Sequence, residues 1–306
     1  MTRIAFGTMA LTDVYNPGAD LGGAADALVS ALDAGVRVLH TARHYGDGAA
    51  YRMVREIAGR HPSAPEQQII VKIDGAPARL RSGAEGACRA CDELGRDGLD
   101  AQLVESWPGQ PEHSSLEDVL DDLEAGGPRQ EMLDALRAEG TVRRVGIEAY
   151  GTAHIRRAVV CPGIDFVVCD MSAIRQVVPA HDVPVPIADG RVELVAIRPL
   201  AGGWLTDRYA TLDDFAADDN RRDWYALAEQ YRPRVAELFA AYGIDLLQGS
   251  LRFLHSLPYI GAIVVGTRTV GQVRAALDPA AAQPLPDELM AELVACFPQP
   301  VVIELD

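Results

Sequence analysis

A chain of 306 residues with 48% hydrophobic content holds enough apolar material for a large core, and one barrel of roughly 250 residues plus loops accounts for residues 1–306 as a single domain. The formal net charge of -16 argues against nucleic acid or an anionic membrane as partner, because both repel an acidic surface. No apolar run reaches membrane-spanning length and no basic start leads into an apolar signal core, so the expectation is a cytoplasmic protein acting on a small molecule.

Short apolar runs alternate with amphipathic or alanine-rich stretches from one end to the other. In chain order the strand-like runs are Ile4–Phe6, Val36–His40, Gln68–Ile73, Ala101–Ser106, Arg144–Glu148, Asp165–Asp170, Glu193–Arg198 and Ala262–Gly266. Eight such runs, each followed by a helix candidate, predict a parallel (β/α)8 TIM barrel. An open doubly wound sheet is the competing architecture, but no G-x-G-x-x-G follows any of the runs.

Between the strands, Ala24–Ala34 ends at Gly35, which suits a left-handed helix cap. Ser114-Ser115-Leu116-Glu117 resembles a capping box, and Pro233 divides the helical stretch 222–242. The irregular segments are 108–113, 177–191 and 206–220, and the last two are candidates for the active face, which barrel loops build after the strands. The acidic cluster from Asp213 to Asp219 reads as a solvated loop. Cys88 and Cys91 form a C-x-x-C inside a helix-like stretch, with no second ligand pair in suitable spacing, so free thiols are expected and no metal.

Basic residues are almost all arginine, and Lys72 is the only lysine. Arginine keeps its proton in a protein, whereas a desolvated lysine can act as acid, base or imine former. That makes Lys72 a candidate for chemistry; survival of one lysine by chance is the plainer account.

The segment from Ala34 to Tyr45 is similar to the aldo-keto reductase pattern in which the catalytic tyrosine follows an aspartate by five residues. Tyr45 matches the tyrosine, and His40 stands where the aspartate would be. Lys72 matches the family lysine of the third strand. The run Leu103 to Pro108 resembles the fourth-strand motif, with Ser106 in place of histidine and Trp107 beside it. Gly140 to Ile147, Val195 to Leu205 and Val265 to Val273 resemble the fifth-, seventh- and eighth-strand motifs in the correct order. The resemblance implies the barrel, a tyrosine that protonates a carbonyl oxygen, and a lysine–aspartate pair that tunes it.

The departures gather where that family holds its nicotinamide. Glu148 and Ala149 replace a Ser-Asn pair, Phe166 is aligned with a glutamine, Ile197 with the stacking aromatic, Arg198 with serine and Ala276 with an adenine-side asparagine. Gly266, Thr267 and Arg268 remain as a dinucleotide-phosphate cradle. With His40 for aspartate, Lys72 is expected to lack its counter-ion and to serve as base or nucleophile. Glu148, unpaired, would be costly to bury, so a partner such as Lys72, Arg198, a metal or substrate is expected. His40, His44 and Glu148 offer metal-type donors, but off a helix their spacing gives no geometric warrant.

The sequence therefore favours cofactor-independent proton transfer, of isomerase, dehydratase or lyase type, on a carbonyl-containing small molecule. Tyr45, Lys72, His40, Glu148 and Ser106 are its catalytic candidates; Trp107, Arg198, Phe166 and Asp170 are the candidate substrate contacts. One alternative is an NADPH-dependent carbonyl reductase with Gly266, Thr267 and Arg268 as cofactor contacts. Another is a non-catalytic scaffold or regulatory protein.

Overall fold

A computed structural model describes residues 3–12, 22–74, 80–104, 115–217, 219 and 221–296. Eight parallel strands close a barrel in sequence order: β1 (Arg3–Gly7), β2 (Val38–Thr41), β3 (Gln68–Asp74), β4 (Leu99–Val104), β5 (Val142–Glu148), β6 (Phe166–Asp170), β7 (Glu193–Ile197) and β8 (Ile260–Gly266). β1 pairs with both β2 and β8, which completes the ring. The (β/α)8 expectation holds, and among the described residues no helix is long and apolar enough to cross a membrane.

The two-residue period of a strand divides its side chains between two environments. Leu39, Val71, Val145, Val167 and Ile263 face outward into the apolar layer beneath the helices. Ala5, Val38, Ile70, Phe166, Val168 and Val195 belong to a separate interior cluster. Gly146 of β5 is in register with Phe166 of β6, and a Cβ at position 146 would lie 2.1 Å from the Phe166 ring. The glycine thus makes room for the largest interior side chain.

Polar side chains close the foot of the barrel. Arg3 donates to Gln68 (3.2 Å) and pairs with Glu193 (2.5 Å); Arg144 joins Glu193 (2.8 Å) to Asp100 (3.6 Å); Gln68 donates back to Asp100. Five residues from five strands therefore form a closed ring. The Arg144 guanidinium also lies 5.1 Å from the Phe166 ring centroid.

Local signals mostly fall where expected. The first helix spans Ala24–Asp33, with Gly35 at φ +95°. Pro233 sits in the first turn of the helix Arg232–Ala241, after a tighter helical turn. The capping box is formed by Ser115 and Asp118, one residue along from the expected register, because the helix begins at Leu116 and Ser115 is therefore its N-cap. β4 begins two residues earlier than its apolar run suggests, since Asp100 and Gln102 are polar residues inside the strand. β7 stops before Arg198, whose φ of +52° lies outside extended geometry.

Candidate active site

Four interior-facing side chains meet near the C-terminal ends of β2 to β5. Lys72 Nζ lies 2.7 Å from Glu148 Oε2, and the Gln102 amide donates to the same oxygen at 2.6 Å. Gln102 Oε1 is 2.6 Å from His40 Nε2. An ionised carboxylate only accepts, so the Gln102 NH2 must face Glu148 and its carbonyl must face His40. His40 is thereby fixed as the neutral tautomer that donates from Nε2. Gln102 is wholly buried and was not among the sequence candidates. Its signal was a glutamine alternating with Asp100 inside an otherwise apolar strand.

Each charge state follows from burial and neighbours. Burial disfavours a charged Glu148, but Lys72 and Arg198 outweigh it and hold the carboxyl at about 2. Burial likewise opposes the Lys72 ammonium, and Glu148 overcomes it, so the lysine pKa is raised. Burial and the Lys72 charge press His40 down to about 4. Lys72 therefore has a counter-ion after all. It comes from β5 instead of β2, which removes the ground for expecting a free amine.

Tyr45 stands on the turn after β2, buried and within reach of the Lys72 charge, with its ring edge-on to His44 at 4.8 Å. Burial raises its pKa against the lowering effect of Lys72, so it holds its proton at neutral pH. Gly46 makes this turn at φ +56°, where a Cβ would also meet Thr12 at 2.9 Å.

Above these groups lies a cleft of about 470 Å³. It runs from His40, Tyr45 and Lys72 past Ile197 and Arg198, along the loop that contains Gly202 and Gly203, to Thr267, Arg268 and Gln272. Thr267 Oγ1 is buried without a hydrogen-bond partner, as is Glu148 Oε1. The cleft lining carries Lys72, Arg198, Arg208, Arg221 and Arg268 but, among the described residues, no carboxylate. Arg198 is held in the left-handed region, at a cost on the order of 1–3 kcal/mol, and donates to Asp170 at 3.0 Å.

Two candidate substrate contacts lie elsewhere. Phe166 opens β6 at the foot-ward end of the barrel, fully buried, and does not line the cleft. The β6 residue in register with Glu148 is Val168, so the alignment of Phe166 with a cofactor-binding glutamine does not hold in space. Asp170 is also fully buried and touches the cleft only through Arg198. Ser106 and Trp107 lie outside the described residues. Of the two loops expected at the active face, Thr206, Arg208 and Tyr209 contribute, whereas 177–191 lines none of the cleft. Asp213 and Asp219 engage Arg222 and Arg221, and Asp214 accepts from backbone N–H groups, so the acidic cluster braces its own loop. Cys88 is exposed and Cys91 buried, both free thiols.

The sequence profile described as the Aldo/keto reductase family matches residues 3–297. A curated aldo-keto reductase of Gibberella moniliformis (strain M3125 / FGSC 7600) is 30% identical over 115 residues, 35% of this chain. That alignment spans 34% of the relative's length, about a third. Among solved structures, the chain is similar to a glycerol dehydrogenase from Gluconobacter oxydans (TM-score 0.69, 18% identity, covering 99% of this chain and 94% of that one). It is also similar to the holo form of an aldo-keto reductase from Bacillus halodurans (TM-score 0.70, 17% identity, 99% and 94% covered). A third is an aldo/keto reductase from Klebsiella pneumoniae in complex with NADP and acetate (TM-score 0.65, 18% identity, 98% and 93% covered). At these identities the solved structures speak for the fold.

Proposed function

The chain belongs to the aldo/keto reductase family, and from that premise we propose that it is an NADPH-dependent carbonyl reductase. The observation that carries this reading is the single cleft joining Tyr45 and Lys72 to Thr267, Arg268 and Gln272. Cofactor-independent proton transfer, the reading first favoured, is drawn from substitutions that gather at the nicotinamide positions while Tyr45 and Lys72 remain; the free lysine that would serve it as base is instead paired with Glu148 at 2.7 Å. The Klebsiella pneumoniae relative in complex with NADP adds weight from outside the chain.

The residues present fit such a cofactor. The orphaned hydroxyl of Thr267 and the guanidinium of Arg268 suit a phosphate, and Arg208 and the Gly202–Gly203 backbone border the same trench. Ile197 in place of an aromatic forgoes about 1 kcal/mol of stacking, which lowers affinity without abolishing it. When bound, the reduced nicotinamide supplies a hydride.

The chain's own part is the proton. Tyr45, kept protonated by burial, donates to the carbonyl oxygen, and the nearby Lys72 ammonium stabilises the charge left on the phenolate. Glu148 holds Lys72 charged, while His40 and Gln102 fix the carboxylate's position. In the direction of alcohol oxidation the same tyrosine takes the proton.

Titration of the full chain with NADPH, followed by protein fluorescence and calorimetry, is the test, with cofactor consumption then measured on an aldehyde and ketone panel. Micromolar binding with carbonyl-dependent consumption is expected. Absence of binding at millimolar cofactor would overturn the reading and return proton transfer or a scaffold role to the front.

A further inference from the structure

We propose that His40 sets the specificity of the site: its Nδ1 accepts a hydrogen bond from a hydroxyl that the substrate carries close to its carbonyl. The substrates are then hydroxy-aldehydes and hydroxy-ketones. This deepens the reductase reading and rests on it for the chemistry at the carbonyl.

The His40 ring has one nitrogen to spare. Nε2 is committed to Gln102 Oε1 at 2.6 Å, and Gln102 is held in that orientation by its own bond to Glu148 at 2.6 Å. A neutral imidazole that donates from Nε2 carries its free lone pair on Nδ1. Among the described residues Nδ1 has no hydrogen-bond partner, and it is not one of the orphaned polar atoms shut off from solvent. His40 is 4% exposed and lines the cleft together with Tyr45 and Lys72, so the open side of the ring is the cleft. Burial and the Lys72 charge keep the ring neutral at neutral pH, which preserves the acceptor.

The surroundings select what Nδ1 accepts from. Tyr45 and Lys72, on the same wall, present donors, and Tyr45 serves the carbonyl oxygen. A substrate hydroxyl beside that carbonyl finds in Nδ1 a place for its hydrogen. An amine, charged at neutral pH, would meet the Lys72 ammonium on a wall that, among the described residues, has no carboxylate. A hydroxyl is the neutral donor that fits. Gln102 fixes the tautomer and one edge of the ring, so the lone pair is directed before the substrate arrives. An alkyl group in the same place would leave Nδ1 unpartnered and stripped of water. The Gln102 amide does not titrate, so His40 passes no proton through it to Glu148, and its part is recognition.

The first measurement needs neither turnover nor cofactor: nitrogen NMR of protein labelled at its seven histidines, with His40 identified by its loss in His40→Gln. At neutral pH the free protein should show His40 protonated on Nε2 alone. Hydroxyacetone should then shift the Nδ1 resonance, and butanone, in which a methyl replaces the hydroxyl, should not. In turnover with NADPH, His40→Gln keeps a donor toward Gln102 and offers nothing at the Nδ1 position. It should cut the kcat/KM ratio of hydroxyacetone to butanone about 10- to 100-fold, mainly through KM. Comparing the ratio between proteins cancels the greater intrinsic reactivity of the hydroxy-ketone. His40→Asn, whose amide oxygen reaches the Nδ1 position, should keep part of the preference. The pair β-hydroxypropanal and butanal repeats the comparison with the hydroxyl one carbon farther away. A proton on Nδ1 in the free protein overturns the inference, as does a shift equally large with butanone. So do ratios that are unchanged in His40→Gln for both pairs. If His40→Gln does not fold, His40→Asn identifies the resonance and the wild-type titration decides. Failure of NADPH to bind would strike the reductase reading and leave the NMR comparison intact.

Discussion

Burying Glu148 with Lys72 strips both of water, and their attraction offsets that loss only while both are present. Removing one leaves the other as a lone buried charge. Glu148→Gln should therefore lower stability by roughly 3–5 kcal/mol, read from urea denaturation, and should move the Lys72 pKa down. A loss below about 1 kcal/mol would show that the pair is well hydrated. At this scale the residue types were legible: Lys72 and Glu148 stand out because ionisable groups among apolar strand residues require partners, and Tyr45 through its place in the motif that follows the second strand. The Lys72–Glu148 pairing was legible only as one of several: Lys72 stood beside Arg198, a metal and substrate as a partner for Glu148, and the 2.7 Å contact selects it. A sequence motif reads neighbours along one strand, whereas Lys72, Gln102 and Glu148 meet across three, so the relocation of the carboxylate from β2 to β5 shows only when the barrel closes.

The strands were legible as elements because a barrel strand is buried on both faces and reads as a continuous apolar run. Where the interior is polar the signal fails: β4 carries Asp100 and Gln102 inward, and its run was read two residues late. Phe166 went astray for a related reason. An inward-facing aromatic on β6 has the right alternation for the site, but it lies one interior layer nearer the foot than Val168. Packing there depends on Gly146. Gly146→Ala should place a methyl into the Phe166 ring and destabilise the protein by about 1–3 kcal/mol. Phe166→Leu in the Gly146→Ala background should recover part of that loss. Additive losses in the double variant would mean that the two positions do not share the space.

Taken whole, the molecule couples its site to pH. His40 sits at about 4 against an ordinary 6.5, so the unfolded chain takes up its proton first as pH falls. The stability tied to His40 is present above pH 6.5 and is lost on descent toward 4. Glu148 sits at about 2 against 4.5, so its contribution is lost lower, between pH 4.5 and 2. Each proton contributes a slope of up to about 1.4 kcal/mol per pH unit. Urea midpoints measured from pH 7 to 4 should fall continuously, and His40→Asn should flatten that descent. An unchanged slope in the variant would assign the acid sensitivity to other groups.

The same chain offers an unusual spectroscopic handle in its solitary lysine. Growth on isotope-labelled lysine would place one labelled amine in 306 residues, and that amine is the one beside Tyr45 and Glu148. Its carbon and nitrogen resonances would require no assignment. They would report the ionisation of the Tyr45–Lys72–Glu148 cluster directly, in solution, while NADPH or a carbonyl compound is added.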